Sequence, residues 1–312
     1  MKGKFRYCRF FLRNLPGTLK EKFFHKARST KSFLGHRHLG VEKTDEILSR
    51  LLASGKPFAA IRIGGMELSA VNGYEKIRLG IKKTYSDSVR HVMKTNAGFY
   101  PTDDESLSRY GKEMIELFPE VDVLGVYGCH MENYFVSTYF SKDVEFGTYE
   151  AFEPLIGHYS KCLKGKKVLV ISPFEEEILS QYEKRKLLFE NADEILPEMQ
   201  LSVLKPPMSQ GDEAGEFPSF FEGLEDMYAK MDAIDYDVLL VGAGAYGAFL
   251  AVHAKGKGKQ AIQSGGATMT LFGIMGKRWE HRNHVAKHYN EHWIRPKSKI
   301  KGYEKIDQGA YW

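Results

Sequence analysis

The sequence predicts an α/β protein with a Rossmann-like, mostly parallel sheet and helices on both faces. Three observations predict it. Short apolar runs alternate with longer helix-forming runs, most clearly after Lys167, which is the pattern of repeated strand–helix units. Runs such as Val168-Leu-Val-Ile171 and Val238-Leu-Leu-Val241 are apolar at every position, which suits strands covered on both sides. The turns Gly64-Gly65, Gly242-Ala-Gly244 and Ser264-Gly265-Gly266 close such runs and open helices.

In chain order, residues 1–40 form a basic, aromatic arm. Within its first 30 residues Lys2, Lys4, Arg6, Arg9, Arg13, Lys20, Lys22, Lys26 and Arg28 face the single acid Glu21. Phe5, Tyr7, Phe10, Phe11, Leu12, Leu15, Phe23 and Phe24 interleave with them, and Pro16-Gly17 is expected to break the arm into two short helices or turns. Residues 41–312 are expected to form one domain, with an N-terminal half 41–160, a nucleotide-binding half 161–280 and a tail 281–312. Val41 to Ser54 has helical spacing and stops at Gly55. Phe58 to Ile63 and Val121 to Tyr127 read as buried strands, and Asp103 and Asp104 as first-turn acids of a helix reaching about Leu117. Strands are expected at Lys167 to Ser172, Gln200 to Leu204, Asp237 to Val241 and Gln260 to Gln263. Helices are expected at Pro173 to Asn191, Phe217 to Asp232, Ala245 to Lys255 and Thr268 to Met275.

Composition excludes some classes. The net charge of +5 is concentrated in the arm, whereas a nucleic-acid binder stripes its cations over the fold. Cys8, Cys129 and Cys162 form no CxxC pair, which argues against a disulfide framework or a zinc site and for a reducing compartment. No apolar run approaches the roughly 20 residues that cross a bilayer. The expected location is the cytoplasm. The arm leaves two readings open: docking on an anionic membrane surface at its inner face, or packing of its aromatics on the body.

The residues that point to chemistry sit at strand ends, where open parallel sheets bind ligands. Gly242, Gly244 and Gly247, with Tyr246 between them, make a strand–turn–helix of the kind that aims N–H groups at phosphate. The spacing matches the dinucleotide fingerprint, but no acid stands at the end of the next strand to hold a ribose. Ser264, Gly265 and Gly266 form a second such turn, so two sets of donors are expected side by side. Lys277 and Arg278 either balance a diphosphate or serve as helix C-terminal cations, and Trp279 is a candidate base-stacking surface. Arg62, Gly64, Gly65 and Glu67 follow the first strand. Glu67 is read as a metal ligand, a proton acceptor, a ribose contact or a first-turn acid. Ser172 and His130 also close strands, His130 as a general base, a ligand contact or a structural residue. Asp103-Asp104-Glu105 is read as a helix start, with metal or sugar binding as its alternative.

Arg62-Ile-Gly-Gly-Met-Glu67 resembles the Arg-Phe-Gly-Asp-Gly-Glu motif of glycosyltransferases with the GT-D fold. Val168 to Phe174, Gly242 to Gly247, Gly258 to Ile262, Gly265-Gly266, Phe272 to Trp279, Trp293 to Pro296 and Gly309 to Trp312 resemble a subset of bacterial polysaccharide-cluster proteins of related architecture. The resemblance spans about residues 42–312. It implies transfer of a sugar from a nucleotide diphosphate sugar to a glycan or glycoprotein acceptor, with a divalent metal, Mn²⁺ or Mg²⁺, at an Asp-x-Glu pair. Here that pair is Gly65-x-Glu67, which removes one hard oxygen ligand. On this reading Glu67 or His130 is the catalytic base. The donor is held by Arg62, Gly64, Gly65, Ser172, Gly242, Gly244, Tyr246, Gly247, Ser264, Gly265, Gly266, Lys277 and Arg278. The alternatives are an NAD-type oxidoreductase and an inactive sugar-nucleotide or glycan-binding protein.

Overall fold

Fully apolar four-residue runs such as Val168–Ile171 and Val238–Val241 satisfy their backbone by pairing on both edges and burying both faces, and here they do so in one sheet. The computed structural model describes residues 2–24, 32–37, 40–207, 215–297, 303–304 and 309–312. Its strands are β1 (Phe58–Ile61), β2 (Val123–Val126), β3 (Glu145–Thr148), β4 (Lys167–Ile171), β5 (Gln200–Leu204), β6 (Val238–Val241) and β7 (Gln260–Ile262). They form a seven-stranded sheet in the order β3-β2-β1-β7-β6-β4-β5, with every neighbouring pair parallel. A two-residue antiparallel pair, Ser32–Phe33 with His36–Arg37, stands apart from it.

The pleat sends alternate side chains to opposite faces. Leu169, Ile171, Leu239 and Val241 enter one core with Leu68, Tyr110, Phe135, Phe220 and Phe249. Those partners come from α3 (Gly65–Arg78), α5 (Asp104–Leu117), α6 (Glu132–Tyr139), α8 (Phe220–Asp232) and α9 (Gly247–Gly256). Val168, Val170, Val238 and Leu240 enter the other core with Leu48, Ile178, Trp279 and Trp293, and α2 (Val41–Ser54) and α7 (Glu175–Glu183) cover that face. The remaining helix of the first half is α4 (Asp87–Thr95).

Several expectations about elements change. The arm is one helix, α1 (Lys2–Phe24), which runs through Pro16. Proline removes one intrahelical bond, but α1 is anchored upstream of it. Tyr7 is buried and donates to Asn72 Oδ1 at 2.6 Å, Arg6 donates to the Ser137 carbonyl at 2.6 Å, and Phe10 packs edge-on against Tyr134. Residues 25–31 and 38–39 of the expected arm lie outside the described residues. The helix expected over Pro173 to Asn191 is shorter: α7 ends at Glu183, and a separate turn covers Arg185–Leu188. Thr268–Leu271 is a single turn of helix rather than a run to Met275, closed by Phe272.

Beneath α1 and α6 lies a buried acid, Glu75. Burial pushes its pKa up, but hydrogen bonds from Arg78, Tyr134 and Tyr139 outweigh that, and the net shift is downward from 4.5. A lowered carboxyl contributes stability that is present above its ordinary value and lost as pH falls through the folded one. Glu75→Gln removes the charge from three donors and is expected to cost roughly 1–3 kcal/mol at neutral pH. In chemical denaturation from pH 7 to pH 3, the gap between variant and wild type should narrow on acidification. A gap that does not change with pH would deny Glu75 this role.

Candidate active site at the carboxyl edge

Strand register sets the site. Ile171 pairs with Val241, Leu240 with Ile262, Ala60 with Ile262 and Ile61 with Leu124. The residues just beyond these strands, Arg62, Gly242, Ser172 and Gln263-Ser264, therefore emerge level along one edge. β4 leads out to β5 on one side, while β6 leads out to β7 on the other. The gap between β4 and β6 is thus a topological switch point, the place where such sheets open a crevice.

A cleft, partly open to solvent, lies there. Its walls include Ser172, Pro173, Ala243, Gly244, Tyr246 and Gly266, together with the loop Thr95–Gly98 and the tail residues Tyr311 and Trp312. Gly244 and Gly266 therefore share one hollow. The two turns also touch each other, since a Cβ on Gly242 would stand 2.4 Å from the Gly265 carbonyl oxygen. Gly244 and Gly265 both adopt positive φ, +51° and +65°, which a side chain would strain. Part of the first turn's donor set is used internally. Gly242 N–H donates to the Ile171 carbonyl, Ala245 N–H to Ala97 and Tyr246 N–H to Ala243. Gly247 makes room for Gln263, whose Oε1 accepts from the Arg62 N–H at 3.2 Å.

Arg62 is buried beside the second turn. Its guanidinium donates to the Ser264 and Tyr149 carbonyls and lies 4.4 Å from the Tyr149 ring centroid. These contacts brace the turn from behind. Ser264 is buried too, with its hydroxyl against that of Thr268. Glu67 occupies the first turn of α3, and its carboxylate folds back over Gly64, where a Cβ would come within 2.2 Å of Oε2. That oxygen is sealed from solvent with no hydrogen-bond partner among the described residues, and the Tyr110 hydroxyl is in the same condition. Burial raises the Glu67 pKa, while its own backbone N–H and the Arg62 charge pull it down by less. Burial likewise raises Tyr110, and the Glu67 charge adds to that. A carboxyl raised by burial at a strand tip has the environment of a general acid or base.

The loop after β2 borders this spot. Buried Glu132 accepts from the N–H groups of Tyr127, Gly128 and Cys129 at 3.2, 2.6 and 3.0 Å. The loop so held presents Tyr127, 53% exposed, edge-on to Tyr149 at 4.4 Å. Sequence reasoning gave no site role to Glu132, Tyr127, Tyr149, Tyr110 or the tail residues Tyr311 and Trp312. An acid at the start of a helix straight after a strand and a glycine was the available signal for Glu132. His130 of the same loop packs edge-on against Phe11 of α1.

The remaining predicted residues scatter. Ser172 is buried at the cleft wall, and its N–H donates to the Leu204 carbonyl. Tyr246 lines the cleft with its ring stacked on Phe220 at 4.3 Å. Lys277 and Arg278 are exposed and open a short turn rather than closing a helix. Arg278 reaches the rim, donating to the Tyr311 hydroxyl at 3.2 Å. Trp279 is not a stacking surface: it is buried, and its indole N–H donates to Glu153 at 3.3 Å. Asp103 caps α5 by accepting from the Ser106 N–H, whereas Asp104, in the first turn, accepts from the Tyr85 N–H and Arg90 and so ties α5 to the segment around α4.

Among the described residues no three His, Cys, Asp or Glu come together to hold a metal. Gly65 is exposed, and a Cβ there would meet only Cys129 Sγ, at an ordinary 3.5 Å. Gly65→Asp is therefore expected to fold and to create an Asp-x-Glu pair. Its thermal midpoint should rise with millimolar Mn²⁺ while that of the wild type does not; an equal response in both would show that Glu67 alone suffices. In comparisons with family models, curated proteins and solved structures, nothing matches this chain.

Proposed function

We propose that the protein is a glycosyltransferase that moves a sugar from a nucleotide diphosphate sugar to a hydroxyl of a glycan or glycoprotein acceptor. One observation carries this reading: the two glycine turns share a cleft at the switch point, and Glu67 lies on the same carboxyl edge of the sheet. In this reading the donor diphosphate lies over Gly244 and Gly266, with Arg278 and Tyr311 at the rim. Arg62 positions the second turn through the Ser264 carbonyl. Glu67 takes the acceptor hydroxyl proton as the acceptor oxygen bonds to the anomeric carbon. The bond to the diphosphate breaks, and the diphosphate leaves with the electron pair. Fixed dipoles and a cation stabilise that leaving charge best where water is excluded. The resemblance to GT-D glycosyltransferases supports the same reaction class.

The test is thermal unfolding against a panel of nucleotide sugars and NADH, followed by product analysis with the ligand that binds. A ligand at a hundred times its Kd adds about 2.7 kcal/mol, a rise on the order of 5 °C for a chain of this size. A shift with a nucleotide sugar and released nucleotide diphosphate is the expected result. A shift with NADH alone would favour the oxidoreductase reading, and binding without turnover the inactive one.

A further inference from the structure

The inner face of α1 is accounted for by Tyr7, Phe10, Phe11 and Asn14, which pack on α3, on α6 and on the loop before α6. The opposite face repeats at helical spacing as well: Phe5, Cys8, Leu12 and Leu15. These four are exposed, Phe5 at 74%, Leu12 at 65% and Leu15 at 36%. Leu19 and Phe23 continue the spacing in the sequence. Exposed Arg9 and Arg13 flank the stripe, and the only acid in the whole helix is Glu21. Apolar residues on an outward stripe, bordered by cations and nearly free of acids, are the features of a helix that lies in a membrane interface. No described helix is long and apolar enough to cross a membrane, so the stripe would lie on the surface rather than span it.

We infer that the outer face of α1 docks the protein on an anionic lipid surface, with Phe5, Leu12 and Leu15 entering the headgroup region and Arg9 and Arg13 pairing with lipid phosphates. A lipid surface, rather than a second copy of the chain, fits the charge: two copies meeting through this face would bring their arginines together with one acid each. The inner face of α1 touches His130, on the loop that presents Tyr127. Docking thus holds this loop, whose Tyr127 meets Tyr149 beside Arg62, about one helix diameter, ~10 Å, from the headgroups, a suitable position for an acceptor carried on a lipid. The docking itself stands without the glycosyltransferase reading, because its test contains no nucleotide sugar.

The experiment is co-sedimentation of the full chain with vesicles of phosphatidylglycerol and phosphatidylcholine against vesicles of phosphatidylcholine alone, at low salt and in 0.5 M NaCl. Binding is expected to the anionic vesicles only and to weaken with salt. Phe5→Ser with Leu12→Ser, and separately Arg9→Glu with Arg13→Glu, should each reduce it at least tenfold. Both pairs are exposed, so thermal unfolding should stay as in the wild type and separate lost docking from lost fold. Equal binding to neutral vesicles, no binding to anionic ones, or binding that survives both pairs of changes would overturn the inference. Sedimentation velocity covers the rival occupant: a dimer made monomeric by Phe5→Ser with Leu12→Ser, without vesicle binding, assigns the face to a second copy instead.

Discussion

Glu67→Gln should abolish sugar transfer, by at least about a hundredfold in kcat, which is the usual scale for a lost general base. It should do so without loss of stability. The bland role for Glu67 is that of a first-turn acid on α3, worth about 0.3–1 kcal/mol. Against that stands the burial of a carboxylate oxygen with no partner. Burial raises the folded pKa above the ordinary 4.5. Between those two values the folded chain holds a proton that the unfolded chain has released, so stability falls as pH rises through the window. Glutamine carries no such titration. The variant should match or exceed the wild type in thermal midpoint at neutral pH, with any advantage gone below pH 4.5. Wild-type turnover should rise with pH through the raised Glu67 value, since a base must first lose its proton. Full activity in Glu67→Gln would remove this residue from the chemistry, and a large drop in midpoint would make it a helix cap after all.

The strands were legible where burial on both faces left an apolar run: β1, β2, β4 and β6 are found where Phe58, Val121, Lys167 and Asp237 announced them, and the short β7 where Gln260 and the glycine turn after it did, all shorter by up to three residues. β5, the edge strand at Gln200–Leu204, keeps Leu201, Val203 and Leu204 and is found where expected, whereas β3 was illegible because Glu145-Phe-Gly-Thr148 offers a single large apolar residue. It is placed by tertiary contacts, above all by Thr44, whose hydroxyl accepts from the Thr148 N–H at 2.9 Å and whose side chain occupies the space at Gly147. α6 escaped notice because its Tyr, Phe, Val and Thr favour strands, and packing overrides that preference. The same division holds at the cleft. The glycine turns and the acid of α3 lie next to their own strands, so local spacing exposed them. The Arg62 contact to Ser264 and the Tyr311 contact to Gly266 join distant parts of the chain, and only the closed sheet brings them together. Pro16 misled for a related reason: tertiary anchors at Tyr7 and Arg6 keep α1 in one piece.

Gly242→Ala should be the most damaging small change at the cleft. Its new methyl would stand 2.4 Å from the Gly265 carbonyl oxygen and 3.0 Å from both Gly265 C and Thr268 Oγ1. Neither side can yield cheaply. Gly242 is tied by its N–H to the Ile171 carbonyl at 2.9 Å, and the Gly265 oxygen accepts from the Thr268 hydroxyl at 2.6 Å. Overpacking of this kind costs about 1–3 kcal/mol, a fall of roughly 2–5 °C in thermal midpoint. Because the strain separates the two turns, any stabilisation by a nucleotide sugar should be lost with it. Gly266→Ala is the contrasting case. The atoms nearest its methyl would all belong to Tyr311, 2.2 Å away at Cε1 and 3.0 Å at the hydroxyl oxygen, and a side chain can swing aside where a backbone cannot. That variant should keep most of its stability while the ligand response changes, because Tyr311 is part of the cleft wall. Measured together, the pair separates damage to the frame from damage to the wall. Should Gly242→Ala unfold like the wild type and still respond to ligand, the two turns are not locked to each other, and the cleft does not depend on their contact.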